Sequence, residues 1–380
     1  FLNSINSIQE FKGAAMKFNA GREAILSPLQ AVIGVVERRQ TMPILANVLV
    51  VGRGDELSIT ATDLEVELVA QTKVTIQQGG EITLPGRKLL DIVRALPEGA
   101  NVTISVEGDK ATVRSAKSRF TLATLPASDF PTVEDIRAQQ TLSIAQASLK
   151  RLLDKTHFSM AQQDVRYYLN GMLLEVADKM LRTVATDGHR LAFCEAELTT
   201  PATTAQQVIV PRKGVLELQR LLGNEGNVEL AVGSNHVRAK IGDIRFTSKL
   251  IDGRFPEYGR VIPASPPKHI KADREILRAA LQRAAILSNE KYRGIRLSVK
   301  LNALVLQSHN PEQEEAEEEL EINYDGEEVE IGFNVNYLLD ALAAVDGGEI
   351  ELGLTDANNS CLLTSPATPS AKYVVMPMRL

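Results

Sequence analysis

Apolar residues recur at steps of three and four in Ile25, Leu29, Val32 and Val36. That is the spacing of one helix face, and it predicts a helix over residues 22–39. The same spacing in Leu149, Leu152 and Leu153, and in Ile276, Leu277 and Leu281, predicts helices over 146–157 and 273–288. Two further helix-like stretches, 86–95 and 212–222, follow Pro85 and Pro211, and a sixth spans 335–346. Between them the pattern alternates, as from Leu57 to Val69, and turns such as Glu107-Gly108-Asp109 separate the alternating runs, so antiparallel strands are expected. Residues 132–140 and 264–268 break both patterns and are expected to be linkers. Local helices mixed with meandering strands place the chain in the α+β class.

The patterns repeat. Leu57-Ser58-Ile59-Thr60-Ala61-Thr62-Asp63 resembles Leu181-Arg182-Thr183-Val184-Ala185-Thr186-Asp187, and Leu304-Val305-Leu306-Gln307-Ser308-His309-Asn310 falls at the next interval. The spacings are 124 and 123 residues. Arg119-Phe120-Thr121 returns as Arg245-Phe246-Thr247, and Phe130-Pro131 as Phe255-Pro256. Three tandem copies are therefore expected, at 16–139, 140–267 and 268–380. Met16-Lys17-Phe18 reads as a natural start, so residues 1–15 are expected to be a remnant or extension outside the fold.

Charge changes the picture more than composition does. The 380 residues carry 42 basic and 48 acidic side chains, a net −6, yet the six predicted helices together sum to +6. Everything outside them carries −12, so cations are concentrated on helices, where they could meet phosphate without reading sequence. Lysine and arginine are also good helix formers on solvated faces, which is the plainer reading. Only the last helix is acidic. No apolar run of 18 residues occurs and the two cysteines lie 167 positions apart, so a reducing, cytoplasmic setting without membrane insertion is expected.

Candidate chemistry is sparse. The five histidines are too dispersed for a local metal motif, and Gly52-Arg53-Gly54 lacks the third glycine of a dinucleotide loop, reading instead as a hairpin turn. Asp187-Gly188-His189-Arg190 could serve acid–base chemistry, but its repeat counterpart Asp63-Leu64-Glu65-Val66 continues as a strand, which favours a turn with local polar packing. Residues 311–319 hold six glutamates. They form either a solvated acidic stretch or a patch complementary to Lys110, Arg114, Lys117 and Arg119 on another copy, which would permit head-to-tail closure. With no tryptophan and 17 aromatics, a base-stacking platform is not expected; the pair Tyr167-Tyr168 is the exception, and it reads equally well as core tyrosines.

The segment His157-Phe158-Ser159-Met160-Ala161-Gln162-Gln163-Asp164-Val165-Arg166-Tyr167-Tyr168-Leu169-Asn170-Gly171-Met172 resembles the bacterial DNA polymerase III beta subunit family of sliding clamps. So do Arg182 to Leu191, Ala284 to Lys291, the glutamate run and Tyr373 to Leu380, and the resemblance spans residues 16–380. It implies a clamp fold of three similar domains, each with two helices on antiparallel sheets, forming a six-domain ring as a head-to-tail homodimer around duplex DNA. It implies no catalysis, cofactor or metal. By this resemblance Arg39, Arg87, Lys88, Arg94, Gln163, Tyr167, Tyr168, Arg212 and Lys213 are candidates for DNA contact. Lys117, Arg119, Phe120, Ile286 and Leu287 are candidates for the dimer seam.

The same resemblance implies a pocket for partner peptides ending in leucine and phenylalanine. Its candidate residues are Leu169, Thr186, Gly188, His189, Arg190, Leu191, Pro256, Arg260, Val261, Tyr337, Ser360, Val374, Met376, Pro377, Met378 and Arg379. Implied partners are replicative and translesion polymerases, the clamp loader, and mismatch-repair and ligase-type proteins. Ser27 and Gly259 stand where relatives can carry basic residues. Two rivals remain at this point: an enzyme using Asp187, His189 and Arg190, and a static DNA-binding protein held by its helix charges.

Overall fold

The computed structural model describes residues 15–37, 42–133 and 136–379. Its element order is the same in all three copies: strand, helix, three strands, then strand, helix, three strands. The first copy runs β1 (Ala15–Gly21), α1 (Arg22–Val32), β2 (Asn47–Arg53), β3 (Glu56–Thr62), β4 (Val66–Lys73), β5 (Thr75–Gln78), β6 (Gly80–Pro85), α2 (Gly86–Ala95), β7 (Asn101–Glu107), β8 (Lys110–Ser115) and β9 (Ser118–Ala123), with β5 as an addition to the pattern. The second runs β10 (Gln140–Ala145), α3 (Gln146–Asp154), β11 (Gly171–Ala177), β12 (Met180–Thr186), β13 (Arg190–Glu197), β14 (Gln206–Pro211), α4 (Arg212–Leu221), β15 (Asn227–Val232), β16 (His236–Ile241) and β17 (Ile244–Lys249). The third runs β18 (Lys268–Asp273), α5 (Arg274–Ala284), β19 (Gly294–Lys300), β20 (Ala303–His309), β21 (Glu315–Glu321), β22 (Val329–Asn334), α6 (Val335–Ala344), β23 (Glu349–Leu354), β24 (Cys361–Thr364) and β25 (Ala371–Val375).

Each helix buries the stripe its spacing dictates: Leu89, Leu90 and Val93 on α2, Val215 and Leu218 on α4, Leu338, Ala341 and Leu342 on α6. The fixed φ of Pro85 and Pro211 sets the chain up for α2 and α4, and in the third copy the Asn334 side chain accepts from the Asn336 amide instead. The first helix stops at Val32, short of the expected 39, where Ile33–Val35 tightens into a 3₁₀ turn around Gly34. On α5 the core side is Leu277, Ala280, Leu281 and Ala284, whereas Ile276 is 58 % exposed, a correction to the expected stripe. Over the helices as they stand the net charge is still +6, because α1 contributes nothing and α2, α4 and α5 contribute +2 each, α3 +1 and α6 −1.

Contacts divide the chain into two compact units, 1–138 with 228–249 and 139–227 with 250–380. Compactness follows shared sheets rather than repeat boundaries. In the first unit β17 pairs antiparallel with β4, adding β15 to β17 to a sheet that continues β4-β3-β2-β6, while β5-β1-β7-β8-β9 forms a second sheet. In the second unit β13 pairs antiparallel with β25, giving the continuous order β14-β11-β12-β13-β25-β24-β23-β18, alongside β21-β20-β19-β22. Successive copies are thus joined by backbone hydrogen bonds as well as by packing.

Two local expectations hold and one changes. Gly54 and Gly108 lie at φ +62° and +63° in the β2–β3 and β7–β8 hairpins, the left-handed conformation that glycine takes at no steric cost. The acidic run is not simply a solvated stretch: Glu315 to Glu321 pair with His309 to Ala303 as edge strand β21. Backbone pairing requires no side-chain alternation, and charges along an edge keep it from adding strands indiscriminately.

Candidate functional site

Cross-strand register builds an apolar floor in the second unit. Leu173 lies opposite Ile209 on one side and Val184 on the other, and Val184 lies opposite Phe193. Val374 lies opposite Leu191 and Leu362. Because side chains opposite one another share a face, these residues cluster, with the buried Phe255 above them. Tyr168, Ile251, Tyr258, Val261, Ile262 and Leu362 pack around the cluster half-buried. The copies 2 and 3 junction, β13 against β25, runs through its centre.

The rim is polar and strongly ordered. The Asp187 carboxylate accepts from the His189 and Arg190 amides at 2.9 and 3.1 Å and from Arg190 Nε at 3.0 Å. Arg190 also pairs with Asp340, donates to the Phe158 carbonyl at 2.8 Å and lies 4.6 Å above the Tyr337 ring, so its guanidinium is held on four sides. Gly188 sits at φ +88°, where an added Cβ would meet Arg166 Nη1 at 2.8 Å. The Met376 amide donates to His189 O at 2.9 Å, closing the turn onto the C-terminal segment. Asp187 and Arg190 are thus consumed by a turn. The first-copy counterpart is a turn as well rather than the expected continuing strand: Asp63 Oδ1 accepts from Glu65 and Val66 at 2.9 and 2.7 Å.

Of the expected pocket residues, Leu191 and Val374 form the floor, Val261 packs beside it, and Leu169 is buried at the end of a short 3₁₀ turn. Thr186, Gly188, His189, Arg190 and Tyr337 form the turn and rim, with His189 stacked on Tyr337 at 6.5 Å. Pro256 and Arg260 are exposed on the segment after β17, Arg260 paired with Glu257 at 2.9 Å. Ser360, Met376, Pro377 and Met378 are half-buried and Arg379 is exposed. Sequence reasoning missed Leu173, Val184, Phe193, Ile209, Phe255 and Leu362, which only the register assembles. It also missed Tyr258, whose hydroxyl donates to Glu175 Oε1 at 2.9 Å while its ring lies 5.9 Å from Phe193. Burial pushes the Tyr258 hydroxyl up to about 12, with the Glu175 carboxylate adding to it. Burial works against the Glu175 charge, but bonds from Arg182, Gln207 and Tyr258 outweigh it and hold the carboxyl below its ordinary value.

The DNA candidates separate into two kinds. Lys88 and Arg94 are exposed on the outer face of α2, and Gln163 (φ +55°) and Tyr167 are exposed on the 161–168 loop. Arg87 instead donates to the Val36 carbonyl at 2.6 Å, and Arg212 to the Met160 carbonyl at 3.4 Å, so both spend part of their hydrogen-bonding capacity on their own backbone. Lys213 is half-buried, and Tyr168 faces the apolar cluster. Arg39 lies outside the described residues. At the candidate seam, Lys117 and Arg119 are exposed and Phe120 half-buried at the β8–β9 edge of one sheet. Ile286 is 75 % exposed beside Leu287, and β21 is an edge of another sheet. Among the described residues, no group of three or more His, Cys, Asp or Glu could hold a metal ion, and no helix is long and apolar enough to cross a membrane.

A threefold strand–helix repeat whose elaborated site is an apolar floor with an ordered polar rim has the architecture of the DNA clamps. Known proteins agree. Models of the DNA polymerase III beta subunit match in order: the N-terminal domain over 16–134, the central domain over 143–257 and the C-terminal domain over 259–379. The beta sliding clamps of Pseudomonas putida and Escherichia coli are 54 % and 52 % identical over 367 residues, 96 % of this chain and 100 % of theirs. The crystal structure of the DNA polymerase III subunit beta from Pseudomonas aeruginosa superimposes with a TM-score of 0.93 at 54 % identity, covering 96 % of this chain and 100 % of that one. A sliding clamp from the same organism bound to griselimycin gives the same TM-score and identity. The chain belongs to the DNA polymerase III beta subunit family, the bacterial sliding clamps.

Proposed function

We propose that two copies of this chain close head to tail into a ring around duplex DNA, slide along it and tether replication and repair proteins. The repeat units 16–139, 140–267 and 268–380 supply three domains each. The observation that carries this reading is the apolar cluster at the β13–β25 junction, ringed by half-buried apolar side chains and bordered by directional backbone and guanidinium groups. Such a surface suits a short peptide whose leucine and phenylalanine enter the floor. The chain itself performs no chemistry in this role. Its clients are replicative and translesion polymerases, the clamp loader, and mismatch-repair and ligase-type proteins, all met in the cytoplasm.

Closure uses two unpaired sheet edges of opposite charge. Strand β9, which carries Arg119 and follows Lys117, meets glutamate-bearing β21 of the second copy, while Phe120 covers Ile286 and Leu287. Exposed cations on helices and on the 161–168 loop meet the phosphates, so contacts with DNA are weak, sequence-independent and salt-sensitive. Topology then supplies persistence. Retention of the loaded protein on nicked circular DNA, followed by gel filtration before and after one restriction cut, tests this. Loss on linearisation is expected. Retention on open ends would instead mean that contacts hold the protein, as in a static DNA binder.

A further inference from the structure

The loop that carries Gln163 and Tyr167 is clasped from both ends. The Asn170 side chain accepts from the Asp164 amide at 2.9 Å and donates to the Asp164 carbonyl at 2.9 Å, while the Ala161 amide donates to the Leu169 carbonyl at 3.0 Å. Inside this clasp Gln163 is held at φ +55°, a conformation that a residue other than glycine keeps only where its surroundings impose it. Val165 stands at the tip, 95 % exposed, and the Tyr167 ring lies beside Gly253.

Arg166, the loop's one cation, is engaged from within. Its Nε and Nη2 donate to the two Asp164 carboxylate oxygens at 3.0 and 2.8 Å, and its amide donates to the same carboxylate at 2.8 Å. These bonds from the Arg166 side chain and amide hold the Asp164 carboxyl down at about 2, so the pair is ionised near neutral pH and its two charges cancel. Arg166 Nη2 also donates to the Asp187 carbonyl at 3.2 Å, in the turn that forms the pocket rim. The ion pair thus fastens the loop to the turn.

The turn is shaped to receive it. In the first copy Leu64 takes the place of Gly188 at φ +78°, and each residue's amide donates to a threonine hydroxyl two positions earlier, at 3.1 Å in both copies. The turn by itself therefore does not call for glycine. What calls for it in the second copy is the guanidinium, since a Cβ on Gly188 would lie 2.8 Å from Arg166 Nη1 and 2.9 Å from Nη2.

We infer that Asp164 and Arg166 are positioning residues for DNA contact: the pair holds Gln163 and Tyr167 at the surface and braces their loop on the rim of the peptide pocket. Hydrogen bonds from these two neutral side chains to phosphate are directional, so they weaken when the brace is lost even though no charge has left the site. The inference rests on the DNA-contact reading above and refines it, because Arg166 then acts through its neighbours rather than by meeting phosphate itself.

Fluorescence anisotropy of a short labelled duplex at low salt, titrated with the full-length protein, tests it. Gln163→Ala combined with Tyr167→Ala should weaken binding; unchanged affinity there would sink the DNA-contact reading of the loop, and the inference with it. Arg166→Lys keeps the charge but loses the fork that reaches Asp164 and Asp187 together, so affinity should fall about fivefold, the loss expected for one directional hydrogen bond. Asp164→Ala removes a negative charge, and charge alone predicts tighter binding, whereas loss of the brace predicts a similar fall. Added to the Gln163 and Tyr167 changes, Arg166→Lys should bring no further loss. Wild-type affinity in Arg166→Lys, tighter binding in Asp164→Ala, or a further additive loss in the combined variant overturns the inference.

Discussion

Head-to-tail closure makes a quantitative demand on Ile286. It sits in the middle of the 3₁₀ turn after α5 with 75 % of its surface exposed, although its neighbours Ala284 and Ala285 are buried. Ile286→Ala removes three carbons, about 2.4 kcal/mol when fully buried, at ~0.8 kcal/mol per carbon. Only the exposed three-quarters is covered on assembly, so the loss is about 1.8 kcal/mol per interface. A ring of two copies breaks two identical interfaces on dissociation, which doubles the loss to about 3.6 kcal/mol, or roughly 400-fold in the dimer dissociation constant. Sedimentation equilibrium over a dilution series measures it, with Leu301→Ala, a 68 % exposed leucine on the β19–β20 turn, as the control that leaves assembly unchanged. A shift near the square root, roughly 20-fold, would mean a single interface per dimer and refute ring closure. A shift below about threefold would remove Ile286 from the seam altogether.

Arg190→Ala strips the rim of a guanidinium held by Asp187, Asp340, the Phe158 carbonyl and the Tyr337 ring, and peptide affinity measured by fluorescence anisotropy should fall by about tenfold or more. Lys88→Ala, in the exposed face of α2, should lower the salt dependence of DNA retention while leaving peptide affinity unchanged; an unaltered salt slope would exclude Lys88 from phosphate contact. Glu175 titrates below its ordinary 4.5 in the folded chain, so its stabilising contribution is present above that value and is lost as pH falls through the lowered one. Glu175→Gln should therefore melt earlier than wild type near neutral pH, with the gap closing as pH falls below the ordinary carboxylate range, as followed by thermal melts.

Much of this was legible in the chain itself. The copies show because the same helix and strand periods recur at a fixed interval, and those periods are local: which face of α2 or α4 is buried depends only on residues three and four apart. The Asp187 turn was readable for the same reason, since its bonds span three residues. The acidic edge strand β21 was not, because its structure comes from backbone pairing with β20, and a run of glutamates carries no alternation to announce it. Nor could local reasoning show that Arg87 turns back to Val36 or that Tyr258 braces the pocket through Glu175, 83 residues earlier.

The floor of the pocket belongs wholly to the tertiary structure. Ile209, Leu173, Val184, Leu191, Val374 and Leu362 come from six strands in two repeats, and they share a face only because β13 pairs with β25 in one register. A shift of one residue would turn Val374 away from Leu191 and dissolve the site. Repetition along the chain accounts for three copies of one fold; the pairing between copies, set by which strand edges meet and what faces across them, decides which side chains gather at each junction.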